Sequence, residues 1–475
     1  MTAAVAPPRP SPPPRPTSPP TFSAPPEPDA CVVADRGERR SHPAASDWVA
    51  WRRLRVARHR GTTAHLCSAY PFLAEAGLGP RGVYLGTNVL TGGGSFAFDP
   101  FTAYADGVVT NPNMLIVGEV GMGKSSAAKT LLYRSAGMFG RWVAIADPKG
   151  EYLQLADALG LAVLKLHPGG TTRINPLDAG PRGRAGGPDE LARRQAEMLG
   201  ALLGAVLHRE LSPLEDAALG WTLAHLARAR QAPTLEDVVR VLADPPEDLA
   251  RRARTSPVEL ARSVENAGYG LGKLLDRSLR GMFDGPTNVA IDWDGPGLVL
   301  DLSSVFHDRE ALSLVLLAAT AWLQAVLTRP DGPHRIQVLD EAWALFGSER
   351  TAKYLQSCWK LSRAYGIANV VIVHRLADLR AQADDGTSTA KVSMGLLADT
   401  QTRVLFRQPS DQIPDASDLL GLTPREGELL AHLTKGRALW KVAGRTAVVH
   451  HVIGHAERRF CDTDARMRPD HGNAR

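Results

Sequence analysis

At 475 residues with 44% hydrophobic side chains, the chain has length for two or three domains and apolar mass for a real core, which excludes a fibre and a wholly disordered protein. A formal net charge of +5 would suit a nucleic-acid or membrane-surface partner, but 50 acidic residues nearly balance 55 basic ones and no long basic tract is present, so charge alone selects no partner. Cys31, Cys67, Cys358 and Cys461 lie far apart without a CxxC pair, so the sequence indicates neither a zinc site nor a disulfide framework, and a reducing cytoplasm is the default.

Residues 1–47 contain "PPRPSPPPRPTSPPTFSAPPEP", too rich in proline and too poor in bulky apolar residues to bury a core; a disordered, solvated tail is expected there. A β-containing segment that packs on the core is expected over 48–110, where "GVYLGTNVLTGGGSFAFDP" reads as a hairpin turned by its glycines. Over 111–188 the strand "MLIVG", the helix "SSAAKTLLYRSAG" and the strands "WVAIADP" and "AVLKLHP" alternate as in a parallel α/β sheet. Residues 189–280 differ: "ELARRQAEMLGALLGAVLHRELSPLEDAALGWTLAHLARA" carries apolar residues at three- and four-residue spacing, with "LSP" as a helix start, and reads as a helical insertion or lid. The sheet pattern resumes over 281–466 with "GLVLDLSSV", a helix at 308–327, "RIQVLDEAW", a helix around 350–365, "NVVIVHR" and "TRVLFRQ"; a disordered end is expected over 467–475. The most lipid-like stretch, "LSLVLLAATAWLQAVL", is short, carries Gln324 and follows "HDRE", so a buried core helix is expected, with no transmembrane segment and no signal peptide. No internal repeat is found.

The chemistry is concentrated after the first core strand. Gly118, Glu119, Val120, Gly121, Met122, Gly123, Lys124, Ser125 and Ser126 spell "GEVGMGKSS", in which Gly118, Gly123, Lys124 and Ser125 satisfy G-x-x-x-x-G-K-[ST] between a strand and a helix. Glycines let the backbone turn its N–H groups toward phosphate oxygens, Lys124 would reach the β- and γ-phosphates, and the Ser125 hydroxyl would ligate Mg²⁺. Such a loop needs a second acidic site, and "RIQVLDEAW" supplies it: Asp340 to hold the metal's water shell and Glu341 to orient or polarise the attacking water. "ADPKGEY" puts Asp147, Lys149 and Glu151 at the carboxyl end of the next strand, where α/β sheets bind ligands; an Asp-Pro turn that merely ends the strand is the other reading. His374 closes "NVVIVH" at the same edge, where it could sense the γ-phosphate. Arg363, Arg375, Arg403 and Arg407 are candidates for an arginine finger acting across a subunit boundary; the sequence does not choose among them, and Arg403 is carried forward as the catalytic candidate. His450, His451 and His455 in "VVHHVIGHAERR" are assigned no metal, because neighbours in a strand face opposite ways.

In order along the chain, "GVYLG", "NMLIVGEVGMGKSSAAK", "VAIADPKGEY", "RINPLD", "MFDG", "VLDLSSV", "VLDEAW", "HRLADL", "GLLADTQTRVLFRQ" and "CDTDARM" resemble the motor domains of type IV secretion and conjugation ATPases of the VirB-four/TraC type, within the wider HerA–FtsK group. The resemblance covers roughly residues 60 to 466; the P-loop is widespread, whereas "DPKGEY" followed by "INP" and "DEAW" is far more specific. It implies a RecA-like core binding ATP and Mg²⁺, a hexamer by self-association, and a cytoplasmic place at the inner face of the cell membrane, reached through the channel components of a transfer machine. Lys124 and Ser125 match the family's nucleotide and magnesium ligands, and Asp340 with Glu341 its second acidic motif. His374 stands where many relatives carry glutamine, and the segment before the core is shorter than the family's docking domain, which leaves an accessory or stand-alone role open. Two alternatives accompany this reading: a HerA/FtsK-like motor acting on DNA, and a nucleotide-gated scaffold with little hydrolysis.

Overall fold

The computed structural model describes residues 78–91, 93–180, 188–228, 233–276, 279–329, 331–345, 349–374 and 400–461. The proline-rich tail, Cys31, Cys67, Arg375 and the residues after Cys461 lie outside these.

Strands between two helical layers need apolar residues on both faces, and the uninterrupted apolar runs of this sequence become such strands. Eleven strands form one sheet: β1 Val83–Asn88, β2 Gly94–Phe98, β3 Met114–Val117, β4 Trp142–Asp147, β5 Ala162–Lys165, β6 Gly297–Asp301, β7 Arg335–Leu339, β8 Ile367–Val373, β9 Thr402–Leu405, β10 Arg437–Val442 and β11 Arg445–His451. Their order is β2-β1-β11-β10-β9-β3-β8-β7-β4-β6-β5. The run from β9 to β5 is parallel throughout, whereas β10, β11, β1 and β2 join antiparallel, so the expected glycine-turned hairpin extends the main sheet by pairing β1 with β11.

Alternate residues of each strand serve opposite layers. Leu115 and Val117 of β3 face a core shared with the helix Arg309–Leu327, while Met114 and Ile116 face Ala127, Ala128, Leu131 and Leu132 of the helix Lys124–Phe139. Each fully buried Leu, Ile or Val contributes roughly 1.5–3 kcal/mol, so a one-residue slip of β3, which exchanges its two faces, is strongly disfavoured. Arg309–Leu327 is long and apolar enough to cross a membrane by length and composition alone, and 89% of its most apolar window is buried inside the protein.

Six helices lie among the described residues of the segment read as an insertion: Pro188–Leu207, Pro213–Arg228, Leu235–Ala243, Glu247–Ala253, Pro257–Ser263 and Glu265–Leu275. The "LSP" start is a reciprocal cap, in which Glu215 N–H donates to the Ser212 hydroxyl at 3.2 Å and Ser212 N–H donates to Glu215 at 2.8 Å. Thr234 with Asp237 and Ser256 with Glu259 repeat the device. The apolar faces of these helices join the core on the Arg309–Leu327 side of the sheet.

Candidate nucleotide site

The neighbouring parallel strands β3, β8, β7 and β4 end at one edge, with Val117 beside Val373, Val371 beside Leu339, and Leu339 beside Ala146. The segments following those strands carry Gly118–Ser126, His374, Asp340 with Glu341, and Asp147–Glu151. Sheet order, not sequence distance, therefore gathers the predicted residues.

The loop after β3 depends on its glycines. Gly118 has φ +154°, and a Cβ there would lie 2.4 Å from Phe406 Cβ, so only glycine fits. Gly123, at φ +108°, turns the chain into the helix Lys124–Phe139, whose first amides, those of Lys124, Ser125 and Ser126, have no intrahelical acceptor and present a site for anions. Lys124 is buried and donates to the carbonyls of Gly118 at 2.5 Å and Glu119 at 2.8 Å; burial pushes its ammonium down to about 8. Other loop members are engaged elsewhere. The Glu119 amide donates to Arg407 O at 3.0 Å, its carboxylate accepts from Arg407 Nε at 2.8 Å, Met122 is buried in the core, and the Ser126 hydroxyl donates to Cys461 O at 2.8 Å. Val120 is 76% exposed at the cavity wall.

Asp340 and Glu341 are buried at the end of β7, and Glu341 adopts φ +53°, a left-handed conformation that non-glycine residues rarely take and that is common at functional sites. The Glu341 amide donates to Asp340 Oδ1 at 2.9 Å. Glu341 Oε1 contacts His374 Nε2 at 2.5 Å and forms an ion pair with Lys149, while the Trp343 indole N–H donates to Oε2. Burial would raise the Glu341 carboxyl, but His374 and Lys149 outweigh it and hold it well below the usual range. Asp340 moves the other way, raised by burial and by the negative charges of Glu341 and Glu151. Asp147 accepts the amides of Lys149, Glu151 and Tyr152 at 3.2, 3.1 and 2.8 Å, so it builds the turn that carries Lys149 and Glu151. The two readings of "ADPKGEY" are thus divided between residues, the aspartate closing the turn and the lysine reaching the cavity.

The donor set fits Mg²⁺. No group of three or more His, Cys, Asp or Glu arranged for a metal exists among the described residues, but Mg²⁺ at a nucleotide site takes only one or two protein oxygens beside phosphates and waters. Ser125 lines the cavity, and Asp340 is a buried carboxylate whose ionised form burial disfavours and a cation would stabilise.

The arginines are dispersed. Arg403 pairs with Leu115 rather than with the loop-proximal end of β3, and its guanidinium donates to the carbonyls of Thr400 and Leu420, so within one chain it stands away from the site. Arg363 donates to Thr110 O at 3.4 Å; Arg407 braces Glu119. The cavity, about 620 Å³, is lined by Lys124, Ser125, Lys149, Glu151 and His374, and also by Lys435, His451, Ile453, Arg458 and Cys461, which sequence reading did not assign to it. A readable signal existed: "RALWKV" and "RTAVVHH", strand-like runs split by Ala443-Gly444, mark the hairpin that brings His451 in.

No known protein-family description matches the chain, and no curated protein matches it. Among solved structures, VirB4 of Thermoanaerobacter pseudethanolicus superposes with a TM-score of 0.65 at 21% identity, covering 81% of this chain and 100% of that one. The plasmid coupling protein TrwB in complex with ADP and Mg²⁺ gives 0.51 at 18% identity over 74% of this chain and 87% of that one. TrwB with the non-hydrolysable ATP analogue ADPNP gives 0.51 at 19% identity over 72% and 85%. The chain therefore has the RecA-like α/β fold, a mostly parallel sheet between helical layers, that it shares with VirB4 and the TrwB coupling protein.

Proposed function

We propose that this chain is a Mg²⁺-dependent ATPase, the motor of a type IV secretion or conjugative transfer system, coupling ATP hydrolysis to apparatus assembly or substrate transfer. The chief support is one cavity of a size suited to a nucleotide, lined by the P-loop lysine, Lys149 and His374, with the buried Glu341 directly behind it in contact with Lys149 and His374 and with Asp340 next to Glu341. Lys124 would leave the Gly118 and Glu119 carbonyls for the β- and γ-phosphates, and the first-turn amides would hold the remaining oxygens. The Ser125 hydroxyl and Asp340 would hold Mg²⁺, which when bound neutralises charge on the phosphates. Glu341 would orient a water and take up its proton as the water oxygen bonds to the γ-phosphorus and the bond to the β,γ-bridging oxygen breaks, giving ADP and phosphate.

The likeness to VirB4 over that chain's whole length favours the secretion reading, and TrwB, solved with ADP and Mg²⁺, favours this nucleotide and metal. A hexamer docked on channel components at the inner membrane face completes the proposal. TrwB, described as a bacterial conjugative coupling protein, also supports a DNA-translocating motor as the second reading. ATP turnover by the purified chain is the primary test. Lys124→Ala should lower it about 100-fold or more, and equal rates for the two proteins would overturn the proposal. Turnover stimulated by DNA and lost at high salt would favour the second reading.

A further inference from the structure

The turn after β4, fixed by Asp147, projects Lys149 across the ends of β7 and β8. There the ammonium pairs with Glu341 Oε1 and lies 3.0 Å from His374 Nε2. The Lys149 side chain is 25% exposed against 3% for Glu341, and it lines the same cavity as Lys124 and Ser125. With Oε1 held by Lys149 and His374 and Oε2 by the Trp343 indole, the Glu341 carboxylate has its oxygens engaged within the protein. Three of its roughly four acceptor positions are thus taken, both of those on Oε1 among them, and the departure of a partner frees Oε1 to face a water. Trp343 does not line the cavity; Lys149 and His374 both do, and of these two Lys149 carries the ammonium that a phosphate attracts.

We infer that Lys149 is a ligand of the γ-phosphate whose alternative partner is Glu341, so that a nucleoside triphosphate draws the lysine away and releases the carboxylate for its water. This rests on the nucleotide reading above and extends it to a residue and a state. A diphosphate offers no oxygen in the γ position, so Lys149 remains on Glu341 and the carboxylate stays engaged after product forms. Lys149 thereby distinguishes triphosphate from diphosphate, and it couples that distinction to the group that acts on water.

Equilibrium binding of Mg²⁺-ADPNP and Mg²⁺-ADP to the full chain tests this, with the wild type, Lys149→Met, Lys149→Arg, Glu341→Gln and the Lys149→Met/Glu341→Gln double variant. Lys149→Met should weaken ADPNP about 10-fold or more while ADP stays within about twofold, since one charge-assisted contact to the γ-phosphate is lost. Lys149→Arg, which keeps the cation, should recover most of that loss. Glu341→Gln removes the competing charge and should tighten ADPNP about threefold or more, a gain that must vanish in the double variant. Equal losses for both nucleotides, no loss for either, or a gain that survives in the double variant overturns the assignment. A wild type that binds Mg²⁺-ADP yet shows one of those patterns refutes only the role of Lys149; a wild type that binds neither nucleotide removes the nucleotide reading as well.

Discussion

Lys124 shows how burial, and Glu341 how its partners His374 and Lys149, set the working state of a single side chain. Glu341→Gln keeps the shape but removes the acceptor for a water proton, so ATP turnover at saturation should fall about 100-fold or more without loss of nucleotide affinity. A turnover rate equal to the wild type would remove Glu341 from the chemistry. Lys124 gives a pH signature. Burial lowers its ammonium to about 8 from the ordinary 10.5, and a triphosphate beside it would raise it again, so the bound state holds that proton more tightly than the free state. Affinity for Mg²⁺-ADPNP is then constant from about pH 7 to 8 and falls above it, by up to about tenfold per pH unit, until the bound lysine itself titrates. A flat affinity between about pH 8 and 9.5 would show that the lysine is not drawn to the phosphates.

At the scale of elements, the hairpin β10–β11 ties the carboxyl-terminal part of the sheet to the nucleotide loop. Trp440 Nε1 donates to His451 Nε2 at 3.1 Å, and the His451 ring stacks on Phe406, the residue that Gly118 packs against. Burial lowers His451 to about 4 from 6.5, so its contribution to stability is present above pH 6.5 and is lost as pH falls toward 4. Chemical denaturation at pH 7.5 and pH 5 should show the wild type losing about 1–2 kcal/mol more than His451→Gln. Equal losses would show that this ring is not held neutral by the fold. The hairpin was also the least legible element. Its left-handed turn position is Ala443 at φ +51° rather than the glycine beside it, and its histidines raise only the question of a metal, which their alternation in a strand sets aside. The parallel strands were legible because burial on both faces writes unbroken apolar runs, as in "WVAIAD" and "NVVIV". The site was legible where one strand end carries the chemistry, as with Asp340 and Glu341. It was not legible where distant segments meet: the Arg407 carbonyl on the Glu119 amide, Cys461 O on Ser126, and the wall formed by Lys435 and Arg458.

For the whole molecule, a ligand bound only by the folded state stabilises it by mass action, about 2.7 kcal/mol at one hundred times its Kd. Mg²⁺-ADPNP should therefore raise the thermal midpoint of the wild type by several degrees and leave that of Lys124→Ala unmoved; a rise of the same size in both would mean that the nucleotide binds elsewhere. Two cavities compete for it: the one at the strand edge, and a larger one of about 890 Å³ among the helices Leu235–Ala243 and Glu265–Leu275 and the start of Arg309–Leu327. A crystal structure of the chain with Mg²⁺ and ADPNP separates them most directly. The phosphates should lie on the amides of the Gly123–Ser126 turn, with Ser125 and Asp340 facing the ion and Lys149 at the γ-phosphate. Nucleotide seated in the helical cavity, or held at the loop with Asp340 and Glu341 turned away from it, would contradict the proposed site.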